Sequence, residues 1–435
     1  MKYYSTNHLA PLATLRDAVT KGLAPDKGLY MPQSLPVMSP SFFEHIQDLS
    51  LPEIAGKVAT ALFGEDVPEE ELHQIACETL NFEIPVVHVN DNIYSLELFH
   101  GPTLAFKDVG ARFMARMLAH FVKTSTEGNT INVLAATSGD TGSAVANGFL
   151  GVEGIQVYVL YPYGKVSPIQ EAQFTTLGQN ITAIAIDGTF DDCQALVKKA
   201  FTDDALNNRM KLTSANSINL ARLLPQTFYY FHAYAQMKRN GLDRNLRICV
   251  PSGNFGNIAA GLIAMKMGLP VHRFIAANNR NDVFCRYLST GEYHPSATIP
   301  TIANAMDVGA PSNFARILDL FNGSHDAIQA VVAGMAFDDN QIRETISNVY
   351  RSYNYLLDPH GACAYAALHK LLRPGENGLF LETAHPAKFS ETIASVIGRR
   401  PQLPQRLQAF MDRKKQSIFM DNDFESFKCF LLNKG

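Results

Sequence analysis

Lys107 closes the segment Leu98-Phe99-His100-Gly101-Pro102-Thr103-Leu104-Ala105-Phe106, with Val109 two residues further on. An ammonium in such company is costly to bury unless it is paired or chemically consumed. Desolvation lowers a lysine pKa, and the neutral amine that results attacks aldehydes, so this lysine is set for Schiff-base chemistry. A lysine that only snorkels to a domain surface gives the same local pattern. Two glycine-rich turns favour the chemical reading. Thr137-Ser138-Gly139-Asp140-Thr141-Gly142-Ser143-Ala144 follows the apolar run Ile131 to Ala136, and Pro251-Ser252-Gly253-Asn254-Phe255-Gly256-Asn257 follows Leu246 to Val250. Each run is a buried-strand pattern, and helical small-residue patterns follow, Ala144 to Phe149 and Ile258 to Met267. A strand, a glycine turn and a helix start leave backbone N–H groups unpaired at the positive end of a helix dipole, where phosphate or carboxylate binds. Gly253 and Gly256 are then positions where the backbone approaches an anion closely. One such loop alone can be a tight turn and nothing more; two of them with an apolar-flanked lysine form a constellation.

Positioning these groups requires alternating strands and helices, and the chain supplies them. Ile155, Val157, Val159 and Tyr161 alternate as a strand, and Ile181 to Asp187 is another. Phe190, Cys193, Leu196, Val197, Ala200 and Phe201 mark a helical face behind the cap candidates Thr189 and Asp191. Phe274 to Ala277 follows the helix after the second glycine loop, and Leu379 to Leu381 precedes Thr383 and a helix starting near Pro386. Repeated strand–helix–strand units predict an α/β fold with mainly parallel sheets and ligands at the carboxyl ends of the strands. Residues 1–90 read as a helical N-terminal domain, with helix patterns at Leu15 to Leu23 and Pro40 to Leu49. Residues 91–400 read as a catalytic α/β region of two subdomains, and residues 401–435 as a packed C-terminal tail.

The segments HGPTLAFKD (100–108), ATSGDTGSA (136–144), SANSIN (214–219), PSGNFGN (251–257) and ETAHPAKF (382–389) resemble those of threonine synthases, which are pyridoxal-phosphate enzymes. Gly22 to Pro32 resembles that family's opening motif. The resemblance spans nearly the whole chain and is to the longer bacterial and fungal form with an N-terminal extension domain. Val109, Ala111 and Asn257 stand where relatives often carry Phe, Gly and Asp.

The resemblance implies a fold-type-II architecture, two α/β domains around a pyridoxal 5'-phosphate cleft. It implies Lys107 as the catalytic Schiff-base lysine, Gly253, Asn254, Phe255, Gly256 and Asn257 as the phosphate cradle, and Thr383 as the hydroxyl partner of the pyridine nitrogen. A neutral hydroxyl there makes a milder electron sink than an Asp would. Ser138, Gly139, Asp140 and Thr141 are implied to take the substrate α-carboxylate. Asn216 and Asn219, with Lys165, Arg112 and Arg222, are the candidates for the departing phosphate. His385 reads as structural, and His100 as the histidine nearer to function. The reaction implied converts O-phospho-L-homoserine and water into L-threonine and phosphate by γ-elimination and β-replacement. A related phospholyase would release phosphate and 2-oxobutanoate instead. A dehydratase or cysteine synthase of the same fold is disfavoured by Asp140, where relatives acting on unphosphorylated amino acids usually carry Asn. A non-catalytic sensor is disfavoured by the intact Lys107 and both loops.

Composition agrees with a cytoplasmic enzyme acting on a small molecule. At 435 residues with Lys+Arg 37 against Asp+Glu 41, the chain has no basic field to recruit nucleic acid. No apolar run approaches the roughly 20 residues of a membrane helix, and Met1 to His8 lacks the apolar stretch of a secretory signal. The six cysteines form no CxxC pair, which fits reduced core thiols rather than a disulfide framework or a zinc site. A monomer or homodimer is expected.

Overall fold

Ile131–Ala136 and Leu246–Pro251 are buried at every residue, the pattern of parallel strands covered on both faces. Each belongs to its own sheet. The computed structural model describes residues 1–125 and 130–434. Its chain divides into two compact units, one of Met1–Gln33, Lys107–Arg222 and Leu403–Gly435, the other of Ser34–Phe106 and Leu223–Gln402.

The first unit holds five parallel strands in the order Ile418–Met420, Ile181–Ile186, Ile155–Pro162, Ile131–Ala136 and Lys211–Ser214. Helix Phe190–Thr202 starts at Thr189 through a capping box with Asp192 and buries Cys193, Leu196, Val197 and Ala200. These pack with Tyr158, Leu160 and Ile184 of the sheet. The segment after Pro401 does more than pack. Its Ile418–Met420 joins the sheet as an edge strand beside Ile181–Ile186, a pairing that a three-residue apolar run does not announce.

The N-terminal residues are helical at Leu15–Lys21, Pro40–His45, Leu51–Phe63 and Glu69–Thr79. Tyr3–Ser5 and Tyr30–Pro32 add an antiparallel strand pair to that expectation. The opening motif holds the pair closed. Asp26 accepts the Ser5 hydroxyl at 2.6 Å and the N–H groups of Gly28, Leu9 and Ala10 at 2.9, 3.0 and 2.9 Å.

The second unit holds six strands in the order Val332–Ala336, Arg273–Asn278, Leu246–Pro251, Asn377–Glu382, Ile93–Glu97 and Val86–Asn90, antiparallel only at the last pair. Its core gathers Ile342, Ile346 and Val349 from one face of helix Asp339–Tyr353 with Cys363, Ala364 and Phe380. Three neighbouring strands run the same way, with Phe380 opposite Cys249 and Glu382 opposite Glu97. Their carboxyl ends therefore deliver the 251–257 loop, Thr383 and the turn at 98–106 along one edge of the sheet.

Candidate active site

The lysine turn is laced to the segment after Glu382 by main-chain bonds. Leu98 N–H donates to Glu382 O at 3.0 Å, Phe106 N–H to Thr383 O at 2.9 Å, and His385 N–H to Leu104 O at 3.1 Å. Leu104 is buried with φ 58°, a left-handed conformation that a branched side chain holds only where its surroundings demand it. Lys107 then opens helix Lys107–Lys123. The apolar burial falls to Leu104, Ala105 and Val109, while Lys107 is half-buried, less enclosed than its neighbours suggest. His385 accepts the Ala387 N–H on Nδ1 at 3.1 Å. Burial, with the nearby His100 charge, lowers its pKa to about 4, so it stays neutral as an acceptor should. His100 pairs with Glu97 at 2.7 Å.

In the 251–257 loop, Ser252 N–H joins the sheet through Ala277 O at 2.8 Å. After it, the N–H groups of Gly253, Phe255, Gly256 and Asn257 take no acceptor among the described residues. Phe255, at φ 61°, caps helix Gly256–Lys266, so these donors lie at the helix's positive end. Asn257 Oδ1 accepts hydroxyls from Tyr229 at 2.7 Å and Tyr230 at 2.6 Å, which fixes the amide and leaves its buried Nδ2 without a partner among the described residues. Asn254 works differently. Its side chain accepts Ser312 N–H at 2.6 Å and its carbonyl the Asn313 amide at 3.1 Å, so it clamps the loop. Gly253 is tight for a reason other than the anion: a Cβ there would lie 2.6 Å from Met306 Cα and 2.9 Å from Ala305 O. Thr383, on the neighbouring strand end, is 7 % exposed, and its hydroxyl has no hydrogen bond among the described residues.

In the first unit, the 137–141 loop is organised by Thr137. Its Oγ1 accepts the N–H groups of Gly139 and Gly142 at 2.9 and 2.8 Å. Ser138 and Thr141 N–H remain without a protein acceptor among the described residues. Gly139 adopts φ 150°, and a Cβ would meet the Gln170 side chain at 2.6 Å, so no other residue fits. Asp140 turns its carboxylate inward to Gln170 Nε2 at 2.8 Å. Thr137→Val preserves shape but strands two N–H groups, and should cost about 2 kcal/mol of stability in urea unfolding. An unchanged midpoint would mean those groups find other acceptors.

Asn219, expected at the substrate, is fully buried and spends its amide inside the fold. Nδ2 donates to Val19 O and Ser214 O at 2.9 and 3.1 Å, and Oδ1 accepts Ala221 N–H at 3.0 Å. Asn216 differs, since its Oδ1 is buried with no donor among the described residues. Lys165 donates to Gly188 O at 2.9 Å. Arg222 is buried, its pKa lowered to about 10 by desolvation against the opposing Asp108 charge, and it binds Ala215 O. Sequence reasoning did not single out Lys388, which is buried inside the ETAHPAKF segment with Nζ on Thr103 O at 2.9 Å. It also missed Tyr229 and Tyr230, whose contact with Asn257 spans nearly thirty residues and leaves no local signal. Among the described residues no group of three or more His, Cys, Asp or Glu is arranged to hold a metal ion, and no helix is long and apolar enough to cross a membrane.

The anion loop suits a ligand that carries a phosphate, and a lysine at a helix start suits one that carries an aldehyde. The class of protein built around a ligand with both groups is the pyridoxal-phosphate-dependent enzymes of fold type II, and the family model "Pyridoxal-phosphate dependent enzyme" matches residues 82–379. The models "Threonine synthase N terminus" and "Threonine synthase, C-terminal" match residues 2–80 and 361–431. Threonine synthase of Haemophilus influenzae is 44% identical over 99% of this chain and 100% of its own. The crystal structure of threonine synthase from Escherichia coli matches with TM-score 0.93 and 43% identity over 100% of both chains. The structure of pyridoxal-phosphate-bound threonine synthase from Brucella melitensis matches with TM-score 0.93 and 34% identity over 100% of this chain and 99% of that one. The chain belongs to the threonine synthase family, and it is a pyridoxal-phosphate-dependent lyase.

The residues present fit that cofactor. A phosphate dianion needs several donors at short range, and the 253–257 loop has four N–H groups and the buried Asn257 Nδ2 without acceptors among the described residues. A pyridine nitrogen needs one neutral partner, and the Thr383 hydroxyl is uncommitted among the described residues.

Proposed function

We propose that Lys107, the 253–257 loop, Thr383 and the 138–141 loop carry the conversion of O-phospho-L-homoserine and water into L-threonine and phosphate. The observation that carries the reading is the set of N–H groups of Gly253, Phe255, Gly256 and Asn257 with no acceptor among the described residues, completed by the Asn257 amide. Gly253, Phe255, Gly256 and Asn257 hold the cofactor phosphate, with Asn254 clamping the loop. Thr383 hydrogen-bonds the ring nitrogen.

Bound pyridoxal phosphate supplies an electron sink that acidifies the carbons next to the substrate amino group. The Lys107 amine takes the Cα proton and then a Cβ proton, after which the γ-phosphate leaves; Cγ is reprotonated and water adds at Cβ. The N–H groups of Ser138 and Thr141 hold the α-carboxylate at the start of helix Asp140–Phe149 and keep Cα within reach of Lys107. Gly139 and Asp140 shape that loop. Arg112, a cation in the same helix as Lys107, serves the departing dianion; the amide nitrogens of Asn216 and Asn219, Lys165 and Arg222 each donate to a main-chain oxygen. The expected setting is cytoplasmic.

Incubating the holoenzyme with O-phospho-L-homoserine tests the reading. Threonine and phosphate are expected in equal amounts. Phosphate with 2-oxobutanoate would instead assign the phospholyase reaction, and no phosphate release would overturn both.

A further inference from the structure

Two carboxyl groups meet in the interior of the second unit: Glu382, the residue before Thr383, and Asp358, which caps helix Pro359–Leu371, each 0 % exposed. Glu382 Oε1 accepts the Asp358 N–H at 2.5 Å. Glu382 Oε2 and Asp358 Oδ2 are buried with no donor among the described residues. Burial, together with the Asp358 charge, raises the Glu382 pKa well above the carboxylate range. One proton on Glu382 accounts for all of this, because a neutral Glu382 can donate to Asp358 and leave the pair with a single charge. Room for it comes from Gly361, where a Cβ would lie 1.4 Å from Glu382 Oε2. Glu97 is the other carboxylate facing the pair, and the Tyr355 hydroxyl occupies it at 2.9 Å.

The second Asp358 oxygen is committed to His360. Oδ1 accepts the His360 N–H at 2.7 Å and faces Nδ1 of the ring at 2.5 Å. Nε2 of that ring accepts the Ala305 N–H at 3.1 Å. A ring nitrogen that accepts carries no proton, so the proton sits on Nδ1 and is donated to Asp358. Ala305 and Met306 are the main chain against which Gly253 packs. Contacts therefore run from the residue before Thr383, through the buried Asp358 and His360, to the 305–306 main chain and the first glycine of the 253–257 loop.

We propose that Glu382, Asp358 and His360 are positioning residues for the cofactor phosphate: they fix the 305–306 main chain against Gly253 and so hold the loop's N–H groups in their binding geometry. This rests on reading that loop as the phosphate cradle. Donors fixed before the ligand arrives bind it without an ordering cost. The Glu382 carbonyl also accepts Leu98 N–H, so the residue that starts the relay anchors the lysine turn as well.

Equilibrium dialysis of the full-length apoprotein against pyridoxal 5'-phosphate and against pyridoxal isolates the phosphate contribution as a ratio of two Kd values. The unaltered chain should favour the phosphate ester by about 100-fold. His360→Phe keeps a ring against Phe389, 5.0 Å away, and removes both nitrogens; the ratio should fall about tenfold. Glu382→Gln, whose amide can donate to Asp358 while its oxygen accepts Asp358 N–H, should hold the ratio within about twofold, whereas Glu382→Leu should lose it as His360→Phe does. If His360→Phe does not fold, the contrast between the two Glu382 variants decides. A ratio unchanged in both His360→Phe and Glu382→Leu, even with lowered thermal stability, would overturn the relay while leaving the cradle intact. Equal affinities in the unaltered chain would overturn the cradle itself.

Discussion

Lys107→Ala should lower kcat with O-phospho-L-homoserine by roughly 10⁴-fold or more, since in the proposed reaction one amine serves successive proton transfers and each such group contributes about 10² to 10⁴. The fold should survive. Lys107 is half-buried at the first position of helix Lys107–Lys123, where alanine is at least as good a helix former. The turn that delivers it is held by bonds from Leu98, Phe106 and His385 that do not involve its side chain. Lys107→Arg should be as inactive as the alanine variant, because a guanidinium keeps the charge but does not give up its proton near neutral pH. Steady-state kinetics beside a thermal melt separate loss of chemistry from loss of structure. Activity within tenfold of the unaltered chain would move the proton transfers to another group.

Gly253→Val should weaken pyridoxal phosphate binding by about 2 kcal/mol or more, about 30-fold in Kd, the equivalent of losing one or two charge-assisted hydrogen bonds. The cause is mechanical. A Cβ at 2.6 Å from Met306 Cα and 2.9 Å from Ala305 O meets main chain, which cannot swing aside as a side chain can. The loop must shift, and the N–H groups of Phe255, Gly256 and Asn257 shift with it. Equilibrium dialysis reads the change directly, and an unaltered Kd would mean that these donors serve some other anion.

The parts of the site that lie in continuous stretches were legible in the sequence. Both glycine loops could be read from an apolar run followed by small residues, because a buried parallel strand and a helix start are local patterns. The capping box at Thr189 and the helical face behind it were readable for the same reason. What escaped was made by distance along the chain. At Gly253 the sequence carries no sign of the main chain at 305–306, some fifty residues away, against which the glycine packs. Asn219 looked like a ligand in SANSIN, yet its amide closes on Val19, two hundred residues earlier. Lys107 and Lys388 show the limit of local apolarity as a guide. The lysine with apolar neighbours in sequence is half-buried, and the one beside Pro386, Ala387 and Phe389 is enclosed. The strand Ile418–Met420 escaped because three residues carry too little pattern without their partner Ile184 to Ile186.

The choice between those two lysines is also the most direct test. Borohydride reduction of the holoenzyme fixes the cofactor to whichever amine bears it, and peptide mapping by mass spectrometry then locates the added mass. The mark should fall on Lys107, in the peptide that continues into Asp108 and Val109, and should vanish in Lys107→Ala. A mark on Lys388, or on any other lysine with Lys107 unmodified, would contradict the assignment of the catalytic residue.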